Sequence, residues 1–136
     1  MFELLEHTAD IGFRVRAASA AELFARAAEA LSALAFELED VQERQPCELS
    51  AEGWDWESLM VNWLSEVLFL LDARRLILKR FQVNQISPRN LSAQAWGEPW
   101  NPERHRAKLL IKGVTYHQLV VEQRPDGWFA QVIVDI

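Results

Sequence analysis

The sequence predicts an α+β fold of two layers, with two main helices packed on one face of a largely antiparallel or mixed β-sheet. Two observations carry that expectation. Two amphipathic segments begin at recognisable capping residues, and the strand-like segments that outnumber them are joined mostly by tight turns. At 136 residues, half of them hydrophobic, the chain has material for one domain over residues 1–136 with a substantial core. It contains no internal repeat and no low-complexity stretch.

Residues 2–7 and 12–17 read as two strands around the polar stretch His7-Thr8-Ala9-Asp10-Ile11-Gly12. Phe13, Val15 and Ala17 alternate with Arg14 and Arg16, the period of a half-buried strand. Ser19-Ala20-Ala21-Glu22 has the pattern of a capping box. The helix after it buries Leu23, Phe24, Ala27, Ala28, Leu31 and Leu34 on one face. An acidic connector spans residues 37–43, and residues 46–51 form a short strand. Asp55 caps the second helix, whose wide stripe from Leu59 to Leu71 includes Met60 and Trp63 and reads as core packing.

Residues 76–86 and 91–97 make a hairpin about Ser87-Pro88-Arg89-Asn90. A loop punctuated by Pro99 and Pro102 follows, and the chain is strand-like again from Ala107. Gly113 breaks that run, an alternating segment restarts over residues 115–121, and Pro125-Asp126-Gly127 turns into a last strand, residues 128–136. On that strand Trp128, Ala130, Val132, Val134 and Ile136 share one face, and Asp135 lies on the other with Phe129, Gln131 and Ile133.

Residues 1–68 carry fourteen acids and four bases, and residues 69–136 six acids and ten bases, for a net charge of −6. An acidic chain is a poor general binder of nucleic acid, whose phosphates supply most of the affinity. The basic group Arg104, Arg106, Lys108 and Lys112 reads as a solvated face, with Lys112 the exception in its Lys-Gly break. No apolar run is long enough to cross a bilayer, and the N-terminus lacks a signal-peptide pattern, so a cytoplasmic protein without a membrane partner is expected. Cys47 stands alone, which excludes an internal disulfide or thiolate cluster, and reads as a small strand residue beside Pro46.

No serine-hydrolase elbow, phosphate loop or HExxH helix is present, and His7, His105 and His117 have no metal-ligand spacing. What remains is a set of oxygen anions. Asp135 adjoins the α-carboxylate of Ile136, and a fold that brings Asp10 beside them would place three carboxylates together. Like charges that close need a shared cation or proton. An all-oxygen set suits a hard cation, Ca²⁺ or Mg²⁺. A turn-capping Asp10 with no further role is the bland alternative.

Four separated stretches resemble the archease family, in order along the chain: Glu6-His7-Thr8-Ala9-Asp10-Ile11-Gly12, residues 63–72, Lys112-Gly113-Val114-Thr115-Tyr116-His117 and Val134-Asp135-Ile136. The resemblance implies a strand-helix-strand-strand core with an insertion. It also implies a non-enzymatic protein cofactor of RtcB-type RNA ligases, which act in tRNA splicing and RNA repair. Such a cofactor promotes guanylylation of the ligase's active-site histidine and multiple turnover, and meets tRNA or other RNA only through the ligase. By the same resemblance Asp10, Asp135 and the Ile136 carboxylate are metal ligands, for Ca²⁺ first and Mg²⁺ or Mn²⁺ as alternatives, and Lys112 is the essential lysine. Gly113, where the family more often has Ala, and Leu71, where it often has an aromatic, depart from the pattern without touching the acidic set. The competing function is a small metal-dependent phosphoester hydrolase using the same carboxylates.

Overall fold

The computed structural model describes residues 2–6 and 10–136, so His7, Thr8 and Ala9 lie outside the described residues. β1 (Phe2–Glu6) and β2 (Asp10–Ala17) pair antiparallel, and β2 pairs along its whole length with β8 (Gly127–Asp135). The other edge of β8 is shared end to end by β7 (Val120–Arg124) and β6 (Gly113–Val114). A strand paired on both edges must be apolar on its inward face, and Ala130, Val132 and Val134 are fully buried there. Ile133 and Phe129, on the opposite face, are buried as well.

A second sheet has the order β3-β5-β4, from β3 (Gln45–Glu52), β5 (Asn90–Pro99) and β4 (Leu76–Ile86). The expected class holds, with every strand pair antiparallel, but the strands divide between two sheets instead of one. Hydrophobic period reports which face of a strand is buried and not which sheet it joins, so the division was invisible to it. Gly97 marks one place where backbones crowd: a Cβ there would collide with the Ile77 carbonyl of β4.

α1 (Ala20–Ala35) touches β2 and β8 of the first sheet and β4 of the second. It is buried on more than one side for that reason, Ala30, Ser32 and Ala35 joining the expected stripe. Its Ser19 side chain accepts from the Glu22 N–H at 3.2 Å. The Glu22 carboxylate pairs with Arg26 at 3.4 Å rather than turning back to the cap, so the box is half made. α2 (Trp56–Arg74) has the full reciprocal box, Asp55 with Ser58, and ends on Arg75 in the left-handed conformation. Trp63 is fully buried; its indole N–H donates to the Phe24 carbonyl at 2.9 Å, and its ring meets Phe81 edge to face. Trp63→Ala would cost about 3–5 kcal/mol on that burial.

Two expected strand segments are corrected. Residues 108–112 form no strand, and Ala107 contributes only an isolated bridge to Phe36. Their alternation is real, Ile111 being buried and Leu110 exposed, but the Lys108 and Leu109 N–H groups donate to Ala35 and Leu34 at the end of α1. The segment thus satisfies carbonyls that a helix end leaves open. Residues 116–119 form a turn, closed by Leu119 N–H on the Tyr116 carbonyl, and the strand begins only at Val120.

Candidate functional site

The ladder between β2 and β8 ends in a pair of aspartates. Asp10 is the first residue of β2, Asp135 the last of β8, and the register sets them directly opposite. Opposed residues of an antiparallel pair share a face, with Cβ atoms about 4.5–5.5 Å apart, and like charges so placed repel. Ile11 and Val134 point into the core, so both carboxylates stand on the outer face of the sheet.

On the other edge of β8, Gly113 is the partner of Asp135, and the Lys112 N–H donates to the Asp135 carbonyl at 2.8 Å. Thr115 holds this edge in place: its N–H and its hydroxyl both donate to the Ile133 carbonyl, at 3.1 and 2.9 Å. The end of β8 therefore sits between Asp10 on one side and Lys112 on the other. Lys112 and Asp135 are exposed, Ile136 follows at 37 % exposure, and Asp10 is half-buried. An added Cβ at Gly113 would meet nothing within 4 Å, so alanine would fit there too.

The unmet chemistry is at Asp10. Its Oδ1 is buried and has no hydrogen-bond partner among the described residues. A buried charged oxygen left without a donor costs more than about 1–3 kcal/mol, and a cation beside the aspartate pair would relieve both that cost and the repulsion. The donor set fits a hard cation by type, carboxylate oxygens with no sulfur or imidazole. Among the described residues no three His, Cys, Asp or Glu side chains converge to hold a metal; Asp10 and Asp135 are the pair brought together, with Ile136 next to Asp135.

The remaining titratable groups fall elsewhere. His117 is exposed in the turn before β7. Cys47 lies in β3, packed in part against the core, and burial raises the pKa of its thiol. His105 is buried in a network that the sequence reading missed. Glu98, only 2 % exposed, accepts two hydrogen bonds from the Arg104 guanidinium at 2.6 and 2.7 Å, one from the Gln42 N–H at 2.6 Å, and lies 3.0 Å from His105 Nε2. Because Nδ1 accepts from the Asn101 N–H at 2.9 Å, Nε2 carries the proton of a neutral ring. The Arg104 hydrogen bonds hold the Glu98 carboxyl well below the usual carboxylate range, against the opposing effect of its burial. Arg104 therefore turns inward, while Arg106 and Lys108 are exposed as expected. Glu98 lies at the end of β5, just past the strand expected over residues 91–97, and no sequence pattern marked it as buried.

The chain resembles known proteins along nearly its whole length. The model of the archease protein family matches residues 2–136. The protein archease of Methanosarcina mazei is 40 % identical over 99 % of this chain and 95 % of its own length. That of Pyrococcus abyssi is 38 % identical, over 99 % and 98 %. A solution structure of a Methanobacterium thermoautotrophicum protein superposes with a TM-score of 0.83 at 27 % identity, covering 99 % of this chain and 98 % of that one. The crystal structure of a Thermotoga maritima archease, described as a possible chaperone, shares the fold with a TM-score of 0.68 at 20 % identity.

Proposed function

Since the chain belongs to the archease family, we propose that it is a protein activator of an RtcB-type RNA ligase, promoting guanylylation of the ligase's active-site histidine and repeated turnover without joining RNA itself. The observation that carries this reading is the meeting of Asp10, Asp135 and Lys112 at one end of β8. Asp10, Asp135 and the Ile136 carboxylate would hold a divalent cation, Ca²⁺ before Mg²⁺ or Mn²⁺. When bound, that cation supplies positive charge that neutralises the aspartate pair and firms the strand end.

The chain's own residues do the rest. Asp10 and Asp135 set the negative tip, and their opposed backbones keep it at one place on the sheet. Lys112, its main chain tied to Asp135, presents an exposed ammonium on a long stem that can meet the phosphates of a nucleotide in the ligase pocket. A rigid sheet end delivering acid and base together positions groups at low entropic cost.

The test is transfer of labelled GMP to purified ligase with and without this protein. Stimulation is expected, with loss in Lys112→Ala at a melting temperature within about 0.5 kcal/mol of wild type in stability. Phosphodiester hydrolysis by this protein alone, with no effect on the ligase, would replace the activator reading by the hydrolase one.

A further inference from the structure

Next to Lys112 the molecule has a second surface of different character. Residues 106, 108, 110 and 112 are all exposed, while Leu109 is half-buried and Ile111 buried. An extended segment pinned at Lys108, Leu109 and Lys112 thus turns Arg106, Lys108, Leu110 and Lys112 to solvent. Leu110 is 75 % exposed, and it edges a cavity of about 220 Å³ between this segment and the ends of α1 and α2. Leu68, Leu71, Leu109 and Trp100 are among its walls, with Arg75 and Lys108 at the same opening.

Arg75 is unusual in its own right. It ends α2 with φ 55° and ψ 36°, a conformation costing a non-glycine residue about 1–2 kcal/mol. That geometry sets its guanidinium 5.2 Å from the centre of the Trp100 ring, and its carbonyl accepts from the Trp100 N–H at 2.7 Å. No ion pair among the described residues involves Arg74, Arg75, Arg106, Lys108 or Lys112. Asp72 is the one acid in the cavity wall.

We infer that this basic-rimmed apolar cleft docks an acidic segment of the ligase polypeptide, one bulky apolar side chain entering beside Leu110 and flanking carboxylates meeting Arg75, Arg106 and Lys108. The inference rests on the activator reading above and gives that partner its anchoring point, with Lys112 joining the anchor to the acidic tip. Complementarity of charge selects an anion, and the wall composition selects polypeptide over RNA. The walls are mainly aliphatic, with Leu68, Leu71, Leu109, Leu110 and Ile111 shaped for one apolar side chain, and a chain of net charge −6 repels the long polyanion of a nucleic acid more than a short acidic peptide. An apolar centre inside a polar rim is the usual anatomy of a protein–protein interface.

The experiment titrates fluorescein-labelled protein with purified RtcB-type ligase and follows anisotropy, for wild type, Leu110→Glu and Arg106→Glu. Both residues are exposed, so the variants should melt as wild type does. The surface predicts about a tenfold weaker Kd for Leu110→Glu, and for Arg106→Glu a weaker Kd with less salt dependence. Undiminished affinity in both variants, with wild type binding and stimulating guanylylation, overturns the docking surface and leaves the activator reading standing. Absence of wild-type binding overturns both. Saturable binding of a single-stranded RNA by wild type without ligase, lost in Arg106→Glu, would reassign the cleft to RNA and equally overturn the proposal.

Discussion

At the scale of single residues, the aspartate pair is where folding and function pull apart. Opposed like charges weaken a sheet rung, and a buried carboxylate oxygen without a donor among the described residues weakens it further. Replacing Asp10 by Asn removes one charge of the pair and supplies N–H donors, so metal-free Asp10→Asn should be at least as stable as wild type. The cation should reverse the order. A ligand at a hundred times its Kd stabilises the native state by about 2.7 kcal/mol, so Ca²⁺ should raise the wild-type melting temperature and leave Asp10→Asn almost unmoved. Thermal melts with chelator and with Ca²⁺ decide this. A wild type indifferent to Ca²⁺, Mg²⁺ and Mn²⁺ would remove the metal from the site.

At the scale of elements, the long connection between β5 and β6 is held by a side-chain network in its first half, and its second half, expected to be a strand from Ala107, is none. Glu98, at the end of β5, draws Arg104 and His105 inward, and the connection then lies along the end of α1. Apolar alternation could not distinguish this from a strand, because Ile111 faces the core in either arrangement. The network makes a prediction in pH. The folded pKa of Glu98 is depressed, so its contribution is complete above the unfolded carboxylate value near ~4.3 and is lost as pH falls below it. Glu98→Gln should destabilise the fold at pH 7, since it removes the anion that the Arg104 guanidinium and the Gln42 N–H both meet. Below pH ~4.3 the gap to wild type should narrow by roughly 1.4 kcal/mol per pH unit while the folded carboxyl stays ionised. Urea unfolding at pH 7 and pH 3 measures it, and a gap of the same size at both would mean that Glu98 contributes by shape and not by charge.

Across the whole molecule, what was legible depended on sequence distance. Caps, helical stripes and the hairpin of β4 and β5 are local, and Ser19, Asp55 and the turn at Ser87 stand where the sequence put them. The meeting of Asp10 with Asp135 spans nearly the full chain, and nothing local encodes a register; resemblance to a family supplied it. The same long-range closure makes β8 the strand on which the first sheet depends, with partners on both edges and Ala130, Val132 and Val134 fully buried. Its amides should therefore exchange among the slowest, with free energies near that of global unfolding. The proposed metal sits at one end of this strand only. Binding should slow exchange everywhere by its effect on global stability, but at the Lys112 amide, which donates to Asp135, it should add local protection. At the far end, where Trp128 pairs with Ala17, only the global effect should appear. Hydrogen exchange read residue by residue with and without Ca²⁺ separates the two. Equal slowing at Lys112 and at Trp128 would show a cation that stabilises the fold without ordering the strand end, and the case for a metal-shaped tip would then fail even if the melting temperature rose.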